Sequence, residues 1–166
     1  VLRAGAMAQK ETGAPLTVHP GRNRDAPFEI LDILSGAGAD IGRVIMCHLD
    51  RTFYDMETVL EFAKLGSCME YDFFGWEISY FSYGERDMPN DATRLGYIKN
   101  LIDEGYSDSI VIGHDMFGKH RVSKYGGHGF SHIPENIVPR MRERDFEEEQ
   151  INAIVVDNPR RLLTFG

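Results

Sequence analysis

Short apolar runs alternate along this chain with longer segments in which apolar residues recur every three to four positions. Glycine, proline, aspartate, asparagine or serine residues flank the runs and punctuate the chain between them. A short apolar run with such boundaries is typical of a strand buried on both faces, as in a parallel sheet. The pattern therefore predicts strands over residues 16–19, 43–48, 68–74 and 109–114.

The segments between the runs have the periodicity of amphipathic helices. Gly13 is a natural stop for the first helix, Asp55 can cap the start of the third, and Gly66 can end it. Two long connections, 75–91 and 116–132, have no clear periodicity. The helices are predicted over residues 1–12, 26–37, 55–65, 92–104, 134–143, 146–156 and 158–164.

Strands that alternate with helices indicate βαβ units and a parallel α/β sheet. Two architectures remain open from the pattern alone. One is a small open doubly wound sheet, and the other is part of a (β/α)₈ barrel, which needs about 250 residues when complete. By length, residues 1–166 are expected to form a single domain.

The composition limits the classes of molecule that this protein is expected to bind. The net charge of −8 argues against binding to nucleic acid or an anionic membrane, because both need clustered lysine and arginine. No apolar stretch is long enough for a membrane span, and the start of the chain has no signal-peptide pattern. Cys47 and Cys68 lie inside predicted strands, which favours buried free thiols in a reducing compartment. We expect a cytoplasmic protein with a small-molecule substrate, and a homodimer is one candidate assembly.

Three predicted strands end in side chains that can bind a metal ion: His19, His48 and Asp115. The carboxyl ends of parallel strands are where α/β folds place their chemistry. Two imidazoles and a carboxylate suit Zn²⁺, and also Mn²⁺, Co²⁺ or Fe²⁺. Neighbouring side chains on a strand face opposite ways, so we predict that Asp115 faces the site and His114 does not. Asp115 would both ligate a metal and accept a proton from bound water.

Other polar residues near the strand ends are candidates for contact with the substrate or support of the metal ligands. Arg22 can grip a substrate anion or orient its loop, and both Arg22 and Arg51 are expected to face the substrate. Asp50 can hold an imidazole or a neighbouring arginine, and Asp72 ends the third strand as a candidate partner of a ligand. The loop 116–132 is expected to face the substrate, and its glycine-rich part, residues 125–132, is predicted to be a mobile lid that shapes the pocket. The remaining candidates are the two histidines of that loop, His128 and His132, and four aromatic residues for the pocket wall, Trp76, Tyr80, Phe81 and Tyr83.

Several motifs, in order along the chain, closely resemble the phosphotriesterase family of the amidohydrolase superfamily, in particular its phosphotriesterase-related proteins. The motifs are His19-Pro20-Gly21-Arg22-Asn23, Cys47-His48-Leu49-Asp50-Arg51, Glu70-Tyr71-Asp72-Phe73-Phe74-Gly75, Gly113-His114-Asp115, Lys124-Tyr125-Gly126-Gly127-His128-Gly129-Phe130-Ser131-His132-Ile133 and Asp157-Asn158-Pro159-Arg160-Arg161-Leu162-Leu163. The resemblance covers essentially the whole chain.

The resemblance implies a (β/α)₈ barrel with two divalent metal ions, zinc first among them, at the carboxyl ends of its strands. His19, His48 and Asp115 match the ligands of barrel strands five, six and eight. The His-x-His pair of strand one and the bridging lysine or glutamate of strand four have no counterpart in this sequence. The chain is therefore expected to be the C-terminal half of such a barrel, with strands five to eight and their helices.

The same resemblance implies a zinc-dependent hydrolase in which a metal-bound hydroxide attacks an ester, lactone, amide or phosphoester. Arg51 replaces an acid, and Phe73 a histidine, of the proton relay in phosphotriesterases proper. Lactonase relatives carry an arginine in place of Phe73. These departures weaken both the organophosphate and the lactone assignments. Two alternatives stay open: a catalytically incompetent half-barrel that acts as a binding or self-pairing module, and an unrelated open α/β sheet that binds a small ligand.

Overall fold

The sheet of the molecule consists of four parallel strands that lie in chain order. The computed structural model describes residues 1–81 and 87–164. The strands are β1 (Leu16–Val18), β2 (Val44–Met46), β3 (Cys68–Tyr71) and β4 (Ile110–Ile112), and each pairs with the next. This order has no reversal, whereas a doubly wound sheet contains a switch point. The predicted parallel sheet is confirmed, and its order favours part of a barrel wall.

Helices follow the strands along the chain. The α-helices are α1 (Leu2–Thr12), α2 (Ala26–Gly36), α3 (Met56–Ala63), α4 (Asp91–Asp103), α5 (Val138–Arg142), α6 (Glu148–Asn152) and α7 (Asn158–Leu163). Two predicted boundary signals are confirmed. Gly13 ends α1 with a φ of 70°, which costs a residue without Cβ little. Asp55 caps α3 by accepting the Thr58 N–H at 2.8 Å. Among the described helices, none is both long and apolar enough to span a membrane.

Each predicted strand is longer than the observed strand, mainly at the carboxyl end. The strands predicted to end at residues 19, 48, 74 and 114 stop at Val18, Met46, Tyr71 and Ile112. The turns that follow two of these strands contain residues with positive φ angles, 59° at His48 and 44° at Asp115. Such angles cannot continue an extended strand. The metal-capable residues therefore lie in turns just beyond the sheet.

The last third of the chain departs from the predicted helices in detail. The predicted helix 134–143 consists of a π-helical turn, Ile133–Ile137, that continues into α5. Pro139 has no N–H to donate to the carbonyl four residues earlier, which a prediction from periodicity ignores. The predicted helix 146–156 is α6 followed by a second π-helical turn, Ala153–Asp157. The loop 116–132 contains two short 3₁₀ turns, Lys119–Arg121 and Ser123–Tyr125.

The two faces of the sheet have different coverings. On one face Met46, Met69 and Ile110 are fully buried in a large cluster with helical residues that include Phe62 and Ile98. Burial of such side chains contributes about 1.5–3 kcal/mol each, which makes this cluster the main source of hydrophobic stability. On the other face Ile45, Cys68 and Val111 form a smaller cluster with Leu162 of α7. Cys47 and Cys68 are free and buried, as predicted.

Candidate active site

Two imidazoles meet where β1 and β2 end. The Nδ1 atom of His19 lies 2.8 Å from the Nε2 atom of His48, and the rings meet edge to face at 78°. This meeting follows from the parallel register, in which Val18 is the partner of Met46. The Cys47 N–H donates to the Val18 carbonyl at 3.0 Å and extends the ladder to the point where both chains turn. Residues 29 positions apart in sequence thereby become neighbours.

Asp72 fixes the orientation of His48. Its Oδ1 atom lies 2.8 Å from His48 Nδ1, and its Oδ2 atom accepts the His48 backbone N–H at 3.1 Å. An Nδ1–H that donates to a carboxylate leaves Nε2 with a lone pair that faces His19, which is the tautomer of a metal ligand. Burial lowers the pKa of His48, so the ring is neutral at neutral pH. The structure thus places Asp72 directly behind His48.

Asp115 lies on the wall of the same cavity, with 28% of its side chain exposed. Arg121 holds this turn, because its Nη1 atom donates to the Asp115 carbonyl at 2.5 Å and lies 3.7 Å from Oδ2. The Arg121 guanidinium is itself within 4.7 Å of the Trp76 ring centroid and 5.3 Å of that of Phe117. Such cation–π contacts restrict an otherwise flexible side chain. Our sequence analysis missed Arg121, since nothing in its local pattern marks it.

The donor set fits divalent metal ions. The facing nitrogens of His19 and His48 leave room for one shared proton, and a divalent cation would take the place of that proton. Within the described residues, the ligand atoms of His19, His48 and Asp115 do not all lie within 4.8 Å of one another. His19, His48 and Asp115 therefore do not form one compact three-ligand site in this structure.

The cavity beside these residues has a volume of about 430 Å³. Arg22 and Arg51 line it, as predicted, and so do the predicted aromatic residues Trp76, Tyr80 and Phe81. The predicted Tyr83 lies outside the described residues. The described residues that line it are His19, Arg22, His48, Arg51, Phe73, Trp76, Tyr80, Phe81, Asp115 and Phe117. Half of these described residues are aromatic, and they contribute two guanidinium groups and one carboxylate.

Asp50 and His132 lie in a separate buried network that is centred on Arg94 of α4. Arg94 Nε donates to Asp50 Oδ2 at 2.8 Å, and Nη1 donates to Asp91 Oδ1 at 2.9 Å. His132 Nε2 lies 2.7 Å from the other Asp91 oxygen, and the Gly75 N–H donates to Asp91. The partner of Asp50 is therefore Arg94, 44 residues away, and neither an imidazole nor the neighbouring arginine that we considered. The network joins the loops that follow β2, β3 and β4.

His128 packs behind this network and is not among the residues that line the cavity. Its ring stacks on His114, with the centroids 5.7 Å apart. A Cβ atom on Gly75 would lie 2.3 Å from His128 Cγ, so only glycine allows this approach. Burial lowers the pKa of His128 to about 4, which keeps the ring neutral. The structure therefore places neither His128 nor His132 where a substrate in this cavity would touch it.

A second group of potential ligands includes the partner of His48. The Cys47 sulfur and carboxylate oxygens of Glu70 and Asp72 lie within 4.8 Å of one another. Burial raises the pKa of the Cys47 thiol far above its usual value, and the neighbouring carboxylate of Glu70 adds to this effect. The thiol is therefore protonated while no metal ion is bound, and it could bind a metal ion only after losing this proton.

A family profile, named relatives and a solved structure each match the chain over nearly its whole length. The profile of the Phosphotriesterase family matches residues 1–163. Proteins named N-acetyltaurine hydrolase from Salmo salar and Xenopus tropicalis share 52% and 51% sequence identity with the chain. Each alignment covers 99% of this chain and 48% of the relative. A crystal structure of a resiniferatoxin-binding protein from Rhodobacter sphaeroides superposes on 98% of the chain with a TM-score of 0.90 and 32% identity, over 45% of that protein.

These similarities decide between the architectures that the pattern left open. The chain spans about half the length of the curated relatives it matches, and its four sequential strands form half of a (β/α)₈ barrel. An unrelated open α/β sheet is excluded. The resemblance that the strand-end motifs indicated is confirmed by the profile match, and the chain belongs to the phosphotriesterase family of hydrolases.

Proposed function

We propose that this chain carries the half of a metal-dependent hydrolase site that holds one metal ion through His19 and His48 and contributes Asp115 to a second. The observation that supports this most strongly is the pair of imidazole nitrogens that face each other across 2.8 Å beside a cavity of about 430 Å³. A catalytic metal site usually has three protein ligands and opens onto a cavity, and His19 and His48 would supply two such ligands.

Divalent ions at this site, Zn²⁺ first and Mn²⁺, Co²⁺ or Fe²⁺ as alternatives, would lower the pKa of a water molecule and polarise the oxygen of a carbonyl or phosphoryl group. The residues of the chain supply the remaining functions. Asp72 keeps His48 in the ligating tautomer through the contact to Nδ1. The Asp115 carboxylate would accept the proton of that water, and Arg121 keeps this turn in place through the Asp115 carbonyl.

We propose that the cleaved bond is an amide. The two relatives named above carry the name N-acetyltaurine hydrolase, and their identity to this chain exceeds 50%. Phe73 and Arg51 occupy the positions of the phosphotriesterase proton relay, and Phe73 packs on His48 with ring centroids 5.2 Å apart. A phenyl ring cannot carry a proton, so we rank amide and carboxyl-ester substrates above phosphotriesters.

Metal content and substrate range test this proposal together. The protein encoded by the longest reading frame that contains residues 1–166 is expected to purify with about two divalent ions per chain. It is expected to hydrolyse N-acetyltaurine faster than a phosphotriester or a lactone. A chelator should abolish turnover, and zinc should restore it. A metal-free protein with full activity would contradict the proposal. The 166-residue chain assayed alone tests the alternative of an incompetent half-barrel, because its full activity would refute that alternative.

Substitution of Asp72 should weaken metal binding without removing a ligand. Asp72→Ala frees the His48 ring to rotate and to change tautomer, and partners of this kind typically contribute about 10–100-fold to metal affinity. We expect a loss of that size in competition titrations with a chromogenic zinc chelator. Asp32→Ala removes an exposed carboxylate on α2 and is the matched control. Equal affinity of the Asp72 and Asp32 variants would show that the contact to His48 Nδ1 has no role in binding.

A further inference from the structure

Asp115 has an unfavourable backbone conformation at the point where its carboxylate meets the cavity. Its φ angle is 44°, in the left-handed region that residues with a Cβ atom rarely adopt. Such a conformation persists where the surrounding contacts over-determine it, and residues of this kind cluster at functional sites. The Asp115 carbonyl accepts two hydrogen bonds, from the Phe117 N–H at 2.9 Å and from Arg121 Nη1 at 2.5 Å. The first lies within the turn itself, and Arg121 holds the turn from outside.

The Arg121 side chain is confined by three aromatic rings. Only 3% of the residue is exposed. Its guanidinium lies 4.7, 5.3 and 5.8 Å from the ring centroids of Trp76, Phe117 and Phe73. All three rings line the cavity, and we call them the aromatic wall. Because cation–π contacts of this kind restrict a flexible side chain, Arg121 connects Asp115 to the aromatic wall.

The backbone of Arg121 is held as firmly as its side chain. The Arg121 N–H donates to the Gly118 carbonyl at 3.0 Å, and the Arg121 carbonyl accepts the Gly129 N–H at 2.9 Å. A Cβ atom on Gly127 would lie 2.1 Å from the Arg121 carbonyl carbon, so only glycine lets the loop pass this close. A residue that sets the position of another must itself be locked by packing and hydrogen bonds, and Arg121 meets that condition.

The contact with Arg121 leaves the Asp115 carboxylate available. Arg121 Nη1 lies 3.7 Å from Asp115 Oδ2, which is longer than a hydrogen bond. The Asp115 side chain is 28% exposed and lies on the cavity wall, so its oxygens can still bind a metal ion or accept a proton. A guanidinium bonded directly to these oxygens would compete with the metal ion. The bond to the carbonyl instead orients Asp115 through its backbone.

We infer that Arg121 is a positioning residue that holds Asp115 in the conformation needed for the reaction and ties this conformation to the aromatic wall. Arg121 acts on the second metal ion and on proton acceptance through Asp115, and it does not touch the reacting atoms. The inference rests on the proposed function, in which Asp115 has both roles, and extends it to the residue that controls Asp115. Loss of Arg121 should therefore impair the same step as loss of Asp115.

Kinetics of the protein encoded by the longest reading frame that contains residues 1–166 test this inference. Arg121→Met should lower kcat for N-acetyltaurine by about 10–100-fold, the usual contribution of a residue that orients a metal ligand, and should change KM by less than about threefold. Arg121→Lys keeps the charge but not the planar guanidinium, so it should recover part of the loss in kcat. The metal content of Arg121→Met should fall from about two ions per chain towards one, because His19 and His48 are unaltered.

A double-variant cycle separates positioning from a general structural role. Asp115→Asn should lower kcat at least as much as Arg121→Met does. The double variant should be slower than Asp115→Asn by less than about threefold, because Arg121 then has no carboxylate to position. Arg140→Met removes an exposed arginine on α5 and is the matched control, which should keep the full kcat. Losses that multiply in the double variant, or a loss in Arg121→Met that appears in KM alone, would overturn the inference.

Fluorine magnetic resonance of protein labelled with 5-fluorotryptophan gives a readout that needs no turnover. The Trp76 resonance is assigned by its absence in Trp76→Phe. It should shift in Arg121→Met and stay in place in Arg140→Met, because a guanidinium no longer lies beside the ring. Gly127→Ala displaces the Arg121 backbone without altering the guanidinium and should reproduce both the shift and the loss in kcat. An unshifted resonance in Arg121→Met and Gly127→Ala would refute the tie to the aromatic wall.

Two outcomes distinguish failure of this inference from failure of the proposed function. An Asp115→Asn protein with full activity would refute the role of Asp115 on which the proposed function depends. A slow Asp115→Asn protein beside a correctly folded Arg121→Met protein with full kcat would leave the proposed function intact and overturn this inference alone. Thermal unfolding of each variant identifies those that are folded, and Arg121→Lys and Gly127→Ala provide the test if Arg121→Met is not.

Discussion

Replacement of Arg94 by alanine is expected to lower the free energy of unfolding by about 3–5 kcal/mol, the usual effect of removing one partner from a buried ion pair. Arg94 is fully buried, and its pairs with Asp50 and Asp91 are at 2.8 and 2.9 Å. Without Arg94, the Asp50 carboxylate is left in a site where burial already raises its pKa. Urea denaturation followed by circular dichroism measures the change.

Lys99→Ala is the matched control on the same helix. Lys99 pairs with Asp103, four residues further along α4, at the surface, and such exposed pairs contribute less than about 1 kcal/mol. The variant Asp50→Asn/Arg94→Met removes Arg94 together with one of its two carboxylate partners and should recover part of the loss, because only Asp91 then lacks its guanidinium partner. A change below about 1 kcal/mol for Arg94→Ala would show that the network does not stabilise the fold.

Replacement of His48 by alanine is expected to remove metal binding and to lower kcat by more than about 100-fold. Loss of a residue that only orients a metal ligand already lowers metal affinity or activity by about 10–100-fold, and His48 is itself a proposed ligand. His48 is the better buried imidazole of the facing pair, with 6% of the residue exposed. Its loss leaves His19 as a single nitrogen donor for that ion. Metal analysis of the purified protein and the rate of N-acetyltaurine hydrolysis are the two measurements.

His120→Ala is the matched control, because His120 is an exposed histidine in the 116–132 loop and is not among the residues that line the cavity. It should retain metal and activity. His48 is buried, so thermal unfolding of both variants is recorded to separate a loss of ligand from a loss of fold. A correctly folded His48→Ala protein that keeps its full complement of metal would contradict the proposed centre.

The positions of His19 and His48 could be predicted because they depend on local pattern and on a general rule of topology. Each follows an apolar run that reads as a buried strand, and neighbouring parallel strands end at the same edge of a sheet. The same reasoning predicted the positions of Asp115 and Arg51, which both line the cavity. The ends of the strands were predicted less well, since the positive φ angles of His48 and Asp115 leave no mark in the hydrophobic pattern.

Arg94 and Arg121 show what the pattern missed. Arg94 shares the buried side of α4 with Ile98 and Leu101, which follow it by four and seven residues. An arginine at this helical spacing among apolar residues is the one feature of the sequence that could have indicated a buried ion pair. Its acidic partner, Asp50, lies 44 residues away. Arg121 contacts Asp115, which was predicted, and Trp76, which was predicted separately. Local pattern contains no information about contacts of this kind.

The amino-acid sequence by itself determined the parallel α/β architecture, the two imidazoles and the carboxylate at the strand ends, and the membership of a hydrolase family. These features depend on periodicity, on turn chemistry and on ordered motifs, all of which are properties of short segments. The tertiary structure alone decided which charges face the cavity and which are buried behind it. Asp50 and His132 joined the Arg94 network and Arg51 stayed on the cavity wall, because side-chain direction beyond a strand end depends on contacts between segments that are distant in sequence.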